Sequence, residues 1–195
     1  MFVKWIAAIA AGLILAAGLS SASSVQASGV KGLNVYVYNW NTDLNDYEWE
    51  NLVAPWRKGT DGSTLCKSTR FATINHSWGE EESVAGCASE DVLINYQGYL
   101  SVPRSGLYTF YSSTDDGFYL KIGATRVIVD WETQGMETYN ADGRKHLNAR
   151  QRYTFDAWLF QNEGNAGAAL YYRLTRNGVD GPISLVPQDW YRIRE

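Results

Sequence analysis

Hydrophobic and polar side chains alternate along most of the chain after Asp91, and turns interrupt the alternation at intervals of about ten residues. A period of two residues is typical of β-strands that have one buried face. The pattern predicts strands over 92–100, 107–112, 118–122, 126–130, 152–161 and 168–175. Many short strands without an internal repeat indicate an all-β fold, either a sandwich or a barrel.

The pattern is weaker outside these segments. Residues 32–39 combine β-branched and aromatic side chains and predict a first strand. Residues 41–90 are rich in Asn, Asp, Gly, Ser and Glu, which favours a long irregular excursion. Residues 136–148 are polar, and the pair Asp142 and Gly143 predicts a turn there.

The first 27 residues have the pattern of a cleavable export signal. Lys4 provides a positive charge, residues 5–19 are apolar, and small residues lead to Ala27. The apolar run is shorter than the about 20 residues that a membrane-spanning helix needs. We therefore expect cleavage after Ala27 and a single mature domain over 28–195. It would be secreted, periplasmic or on the cell surface, without insertion into the membrane.

Cys66 and Cys87 lie in the part of the chain that we expect to be exported. In an oxidising compartment, an even number of cysteines at modest spacing predicts a disulfide. It would close a loop of about 20 residues and contribute roughly 3 kcal/mol to stability. A metal-binding pair is the alternative, but no neighbouring Cys or His provides further ligands. The residues alone therefore predict an all-β sandwich or barrel with a long N-terminal loop region tied by this disulfide.

Charge and composition narrow the classes of partner. The formal net charge is −4, and basic residues do not cluster. Because phosphate binding needs a positive surface, nucleic acid is not an expected partner. The chain contains 8 Trp and 13 Tyr residues, which suit β-sandwich cores and also surfaces that bind sugars or proteins.

A catalytic site has little support in the sequence. His76 and His146 each stand alone in a polar stretch, and no nucleophile, zinc or phosphate-loop motif occurs. A glycosidase needs two carboxyl groups about 5–10 Å apart on opposite sides of the scissile bond. Asp115 and Asp116 are adjacent in one turn, which does not place them in this way. We therefore predict no catalytic residue and no enzyme activity.

A calcium site has better support. Ca²⁺ takes about six to eight oxygen ligands from carboxylates, amide side chains and backbone carbonyls. Asp115 and Asp116 offer two carboxylates at one turn, and residues 161–167 form a second loop that is rich in Asn and Gly. The alternative is that both segments are ordinary hairpin turns that need no metal. The residues alone leave both interpretations open.

Two stretches resemble a known family. They are GYLSVPRSGLYTFYSSTDDGFYLKIGATRVIVDW and HLNARQRYTFDAWLFQNEGNAGAALYYRL. Over 91–174 the sequence resembles the protective-antigen-type (PA-fourteen) domain family, which includes sugar-binding domains of yeast flocculins and epithelial adhesins. The Gly-Tyr-Leu, Tyr-Thr-Phe, Asp-Asp-Gly and Ile-Gly motifs and the late Gly-rich loop follow the order of the family. Residues 41–90 depart from its pattern.

The resemblance implies an antiparallel, jelly-roll-like β-sandwich in which two loops meet at one end and bind Ca²⁺. In the lectin members, two consecutive aspartates joined by a cis peptide hold the ion, and the ion binds vicinal sugar hydroxyls. Asp115 and Asp116 stand at those positions, and Asn162 matches the asparagine of the second loop. Backbone carbonyls of Gly164 and Ala166 are expected to complete the metal site.

Three residues are candidates for direct contact with a sugar. Trp131 could stack on a sugar ring, although packing in the core or at a sheet edge is the alternative for this side chain. Glu163 and Asn165 could form hydrogen bonds with sugar hydroxyls.

These expectations give two hypotheses from different classes. The first is an exported, Ca²⁺-dependent carbohydrate-binding domain that binds a glycan or polysaccharide, in recognition or adhesion. The second is a structural or protein-interaction module without a functional metal site. A carbohydrate-active enzyme ranks below both.

Overall fold

The computed structural model describes residues 29–40 and 63–195. In this part of the chain, thirteen β-strands and one turn of 3-10 helix, Gln188–Trp190, follow one another. The strands are β1 (Leu33–Asn39), β2 (Thr64–Phe71), β3 (Asn75–Gly79), β4 (Val92–Leu100), β5 (Gly106–Asp115), β6 (Phe118–Ile122), β7 (Thr125–Asp130), β8 (Ala141–Leu147), β9 (Tyr153–Gln161), β10 (Ala166–Arg176), β11 (Val179–Asp180), β12 (Ser184–Leu185) and β13 (Tyr191–Arg192).

The strands form two antiparallel sheets. The seven-stranded sheet has the order β2-β1-β4-β9-β6-β7, with β13 beside β4. The six-stranded sheet has the order β11-β10-β5-β8, with β12 and β3 also paired to β10. Residues of both sheets pack into one buried cluster, so the prediction of an all-β antiparallel sandwich is confirmed.

Hydrophobic residues lie on both faces of the seven-stranded sheet. Tyr96 of this sheet and Phe110 of the other belong to the core between the sheets. Leu93, Trp158 and Phe160 form a second buried cluster on the opposite face, because successive side chains of a strand point to opposite sides. β4 and β9 are therefore buried on both faces, which explains their nearly continuous hydrophobic sequences.

Residues 63–90 are more regular than the sequence predicts. The expectation of an irregular excursion is wrong for β2 and β3, which pair with β1 and β10 respectively. Both strands lie at sheet edges and contain no fully buried residue, so neither shows clear hydrophobic alternation. The disulfide between Cys66 and Cys87 is confirmed, with 5.8 Å between the two Cα atoms.

The predicted turn at Asp142 and Gly143 is also wrong. Both residues lie inside β8, where Gly143 is the register partner of Phe110. A Cβ atom on Gly143 would lie 1.5 Å from the carbonyl oxygen of Val127. The glycine is therefore required by the close approach of the chain at β7, and the polar sequence belongs to an edge strand.

Two expectations fall on residues that the structure does not describe. The predicted export signal over 1–27 lies outside the described residues, as do residues 41–62 of the predicted excursion. Among the described residues, no helix is long and apolar enough to cross a membrane. The limits of the mature domain stay a prediction.

Candidate functional site

The turn that contains Asp115 and Asp116 lies at one end of the sandwich, where β5 ends and β6 begins. Gly167 of β10 is the register partner of Asp115, which places the loop between β9 and β10 beside this turn. The N–H of Asp91, just before β4, donates to the carbonyl of Asn162 at 2.9 Å. The two predicted loops therefore meet at the same end of the fold.

The carboxylate of Asp116 is buried and is held by two backbone N–H groups. Only 2% of Asp116 is exposed. The N–H of Asn162 donates to its Oδ2 at 2.7 Å, and the N–H of Gln134 donates to its Oδ1 at 3.0 Å. Nε2 of Gln134 also donates to the carbonyl of Asp116 at 3.3 Å. Asp116 thus joins its own turn to the second loop and to the segment between β7 and β8.

Two further features determine the local conformation of the turn at Asp115 and Asp116. The peptide bond between Asp115 and Asp116 is cis, as in the lectins that the sequence resembles. At Gly117, a Cβ atom would lie 2.3 Å from Cε1 of Phe160. The main chains also bond here, because the N–H of Phe160 donates to the carbonyl of Gly117 at 3.1 Å. The glycine that follows the aspartates is therefore required by close packing against β9.

The second loop exposes backbone and polar side chains to solvent. Gly164 has a φ of 77°, a conformation that glycine adopts without steric cost. Its carbonyl accepts a hydrogen bond from Nε2 of Gln161 at 3.3 Å. The two predicted sugar contacts of this loop, Glu163 and Asn165, are both exposed. The loop is therefore open to a ligand on its outer side.

The end of β3 lies beside this loop. Ala166, a predicted source of a carbonyl ligand, is buried and is the register partner of Gly79. A Cβ atom on Gly79 would lie 3.9 Å from Oδ1 of Asn165. The edge strand that the sequence did not predict therefore borders the candidate site.

The surroundings of Asp115 and Asp116 offset the negative charges of the two carboxylates only in part. Burial, and then the negative charge of Asp116, raise the pKa of Asp115 above its ordinary value, while the N–H of Met136 opposes this shift. Burial also raises the pKa of Asp116, against the hydrogen bonds from Asn162 and Gln134. Neither carboxylate forms an ion pair within the described residues. A bound cation would remove the mutual repulsion of the two groups.

The oxygen atoms at this end fit a hard cation. In the described part of the chain, no three His, Cys, Asp or Glu side chains come together to hold a metal. A cation would therefore need oxygens of the second loop beside the two carboxylates, from the Asn162 amide and the carbonyls of Gly164 and Ala166. Oε1 of Gln161 is also buried and has no hydrogen-bond partner. An oxygen-only donor set of this kind suits Ca²⁺.

Trp131 lies at the start of the segment between β7 and β8. Its ring packs against Phe160, with 4.6 Å between the ring centroids and an interplanar angle of 54°. The indole Nε1 is buried without a hydrogen-bond partner. The side chain is partly buried against the outer cluster of the seven-stranded sheet, so the contact that the structure gives it is a packing contact.

Two residues of the site have roles that sequence reasoning did not assign. Gln134 holds both the side chain and the main chain of Asp116, but it lies in a polar segment that carries no recognisable signal. Gln161 is fully buried at the end of β9. The sequence did offer one signal for Gln161, because it is a polar residue at the end of a hydrophobic strand and directly precedes Asn162.

Comparison with known proteins identifies the family. The sequence model of the PA14 domain matches residues 30–181. No curated protein matches the sequence.

Solved structures with the same fold come from several kinds of protein. An anti-sigma factor domain-containing protein from Clostridium clariflavum is 22% identical, with a TM-score of 0.65 over 85% of this chain and 48% of that one. The chain thus spans about half the length of that protein. The Epithelial Adhesin 9 A domain from Candida glabrata, in complex with Galb1-4GlcNAc, is 13% identical, with a TM-score of 0.62 over 84% and 89% of the chains. A PA14 sugar-binding domain from an RTX adhesin is 16% identical, with a TM-score of 0.58 over 85% and 99%.

Proposed function

Because the chain belongs to the PA14 domain family, we propose that it is a carbohydrate-binding domain whose attachment to glycans depends on Ca²⁺. One observation carries the proposal. Asp115 and Asp116 bring two carboxylates to one turn without an ion-pair partner in the described residues, at the end of the fold where the second loop lies. A divalent cation compensates this charge and uses the carboxylates as ligands.

Each residue of the site has a distinct role in the proposal. Asp115 and Asp116 provide the carboxylates, and Asn162 provides a side-chain oxygen. Gly164 and Ala166 provide backbone carbonyls. When bound, Ca²⁺ supplies a centre that accepts two neighbouring sugar hydroxyls in place of water.

Residues at the rim would select the sugar. Glu163 and Asn165 are exposed on the second loop, where they could bond to hydroxyls that do not reach the ion. Trp131 stays a candidate contact through the exposed part of its ring. Support for a glycan ligand comes from the adhesin domains of similar fold, of which one is in complex with Galb1-4GlcNAc and another is a sugar-binding domain. By the same analogy, the domain would act outside the cell or at its surface, after export.

The metal part of the proposal is tested by calcium titration of the wild type and of the Asp115→Ala, Asp116→Ala double variant. Thermal unfolding is followed at increasing Ca²⁺ after dialysis against a chelator. The wild type should gain stability with calcium and the double variant should not. Equal gains in both proteins would show that the cation binds elsewhere and would reject the site.

An architectural role without metal is the second candidate, and a specific observation favours it. Both carboxylate oxygens of Asp116 already accept backbone N–H groups, so this side chain would hold three segments together even without a cation. In that case Asp116→Asn destabilises the protein by the same amount with calcium and with chelator. A difference between the two conditions supports the metal site instead.

A further inference from the structure

A cavity lies at the end of the six-stranded sheet that is opposite to the candidate calcium site. It encloses about 610 Å³ between the turn before β5, the hairpin of β10 and β11, and the 3-10 turn that precedes β13. Asp115 and Gly167 pair at one end of the sheet, and Arg176 pairs with Val179 at the other. Nine residues of a strand span about 30 Å, so the cavity is separate from the candidate calcium site.

Aromatic and apolar side chains form one surface of the cavity. Tyr172, Leu174 and Trp190 line it together with Pro103 and Pro182. The rings of Tyr172 and Trp190 pack with 4.3 Å between their centroids. The Tyr108 ring also meets that of Trp190 edge to face at 5.8 Å, which supports the indole from below. The surface is therefore fixed by packing within the core.

Two arginines flank this surface without a carboxylate partner. Arg104 and Arg176 both line the cavity and are exposed, and neither forms an ion pair within the described residues. Burial raises the pKa of Tyr108 to about 12, with Tyr172 adding to this effect and the positive charges of both arginines opposing it. Both guanidinium groups therefore lie close enough to Tyr108 to influence its hydroxyl.

The one carboxylate of the cavity is already neutralised. Oδ2 of Asp180 lies 3.3 Å from the guanidinium of Arg173, and its Oδ1 accepts the hydroxyl of Thr175 at 2.6 Å. The lining therefore keeps an excess of positive charge although the chain as a whole has a net charge of −4. A guanidinium group matches the two oxygens of a carboxylate in geometry and charge.

The main chain of β10 beside the cavity is already paired, whereas β11 is the edge strand of the sheet. The stretch of β10 that borders the cavity is paired with β12 at Tyr172 and with β11 at Thr175 and Arg176. An extended peptide binds by adding a strand to a free edge, and β11 offers only 2 residues for such pairing. The lining side chains would therefore carry most of the recognition of a ligand here.

From the apolar, aromatic lining and the two flanking arginines, we propose that this cavity binds a carboxylated sugar, such as a hexuronic acid residue of an acidic glycan. The apolar face of the sugar ring would lie on Tyr172 and on the small exposed part of Trp190, which is only 9% exposed, and its carboxylate would pair with Arg104 and Arg176. This binding would be independent of calcium and of the proposed function of the Asp115–Asp116 end.

Isothermal titration of the full chain with trigalacturonate, in excess chelator, tests the proposal. Arg104→Gln and Arg176→Gln should each weaken binding about tenfold, because each removes a charge-assisted hydrogen bond. Arg144→Gln makes the same change of charge on exposed β8, away from the cavity, and should leave binding unchanged. Asp115→Asn should also bind normally, which separates this result from failure of the calcium site.

Three results would overturn the proposal. They are an absence of binding by the wild type at millimolar trigalacturonate, binding of the uncharged maltotriose with the same affinity, and equal losses in the Arg144 variant and the two cavity variants. A triglutamate peptide that binds as tightly as trigalacturonate would contradict the assignment to a sugar.

Discussion

Replacing Asp115 by Asn should stabilise the calcium-free protein and destabilise the calcium-bound one. Burial and the charge of Asp116 raise the pKa of Asp115 in the folded state above its ordinary value of 3.8. Between pH 3.8 and the raised pKa of the folded state, the folded state therefore binds more protons than the unfolded state. The free energy of unfolding falls as pH rises through this interval. The cost of the carboxylate is absent below pH 3.8 and complete above the folded-state pKa.

The size of the gain follows from burial and charge repulsion on one side and from a hydrogen bond on the other. Repulsion between two neighbouring carboxylates amounts to about 1–3 kcal/mol at dielectric constants between those of water and of a protein surface, and relief from burial adds to it. The hydrogen bond from the N–H of Met136 weakens by about 1 kcal/mol when its acceptor becomes neutral. We expect a net gain of about 1 kcal/mol at pH 7, or about 2–4 °C in Tm for a domain of this size.

Calcium should reverse the order of the two proteins. At a Ca²⁺ concentration of 100 times Kd, binding adds about 2.7 kcal/mol to the stability of the wild type. The Asn variant loses most of this increment because it lacks a charged ligand.

Differential scanning calorimetry measures the stability of the wild type and of the Asn variant in chelator and in calcium at pH 7. A calcium-free comparison of the two proteins at pH 3.5 should show no advantage of the variant. Asp142→Asn on exposed β8 is the control for loss of a carboxylate elsewhere. A variant that is less stable than the wild type in chelator at pH 7 would refute the electrostatic reasoning.

Three further predictions concern residues that support the candidate site and the fold around it. Gly117→Ala should lower stability by more than about 2 kcal/mol in urea unfolding, because its Cβ would lie 2.3 Å from Cε1 of Phe160; an unchanged midpoint would contradict this close packing. The Cys66→Ser, Cys87→Ser double variant should lose about 3 kcal/mol in the same assay, and a loss below about 1 kcal/mol would show that the loop is fixed by other contacts. Gln134→Ala removes the side-chain bonds to the Asp116 carbonyl and to Asp130, and should weaken Ca²⁺ binding about tenfold in calorimetric titration; unchanged affinity would limit Gln134 to a role in packing.

The elements with clear alternation could be predicted from the sequence. The pattern from Val92 onward indicated β4 to β7 and also β9 and β10, and the cysteine pair indicated the disulfide. The sequence pattern did not predict β2, β3 and β8, because they are edge strands in which polar and exposed residues outnumber buried ones. At Gly143 the sequence does not distinguish a glycine required by a neighbouring backbone from one in a turn.

Only part of the candidate site could be predicted from the sequence. Asp115 and Asp116 could be found because their adjacency is a local feature, and the family resemblance supplied their connection to Asn162. The support from Gln134 and the position of Gly79 beside the second loop depend on contacts between distant segments. Such contacts leave no local pattern, so the borders of the site required the structure.

The most direct test of the central claim is a glycan array probed with the full chain in calcium, then in excess chelator, and again after calcium is restored. The account predicts binding to a set of glycans in calcium, loss of that binding in chelator and its return with calcium. Asp115→Asn should bind none of the same glycans in calcium, while the Asp142→Asn control should bind all of them. Binding that persists in chelator, or an array without signal in either condition, would contradict a calcium-dependent lectin.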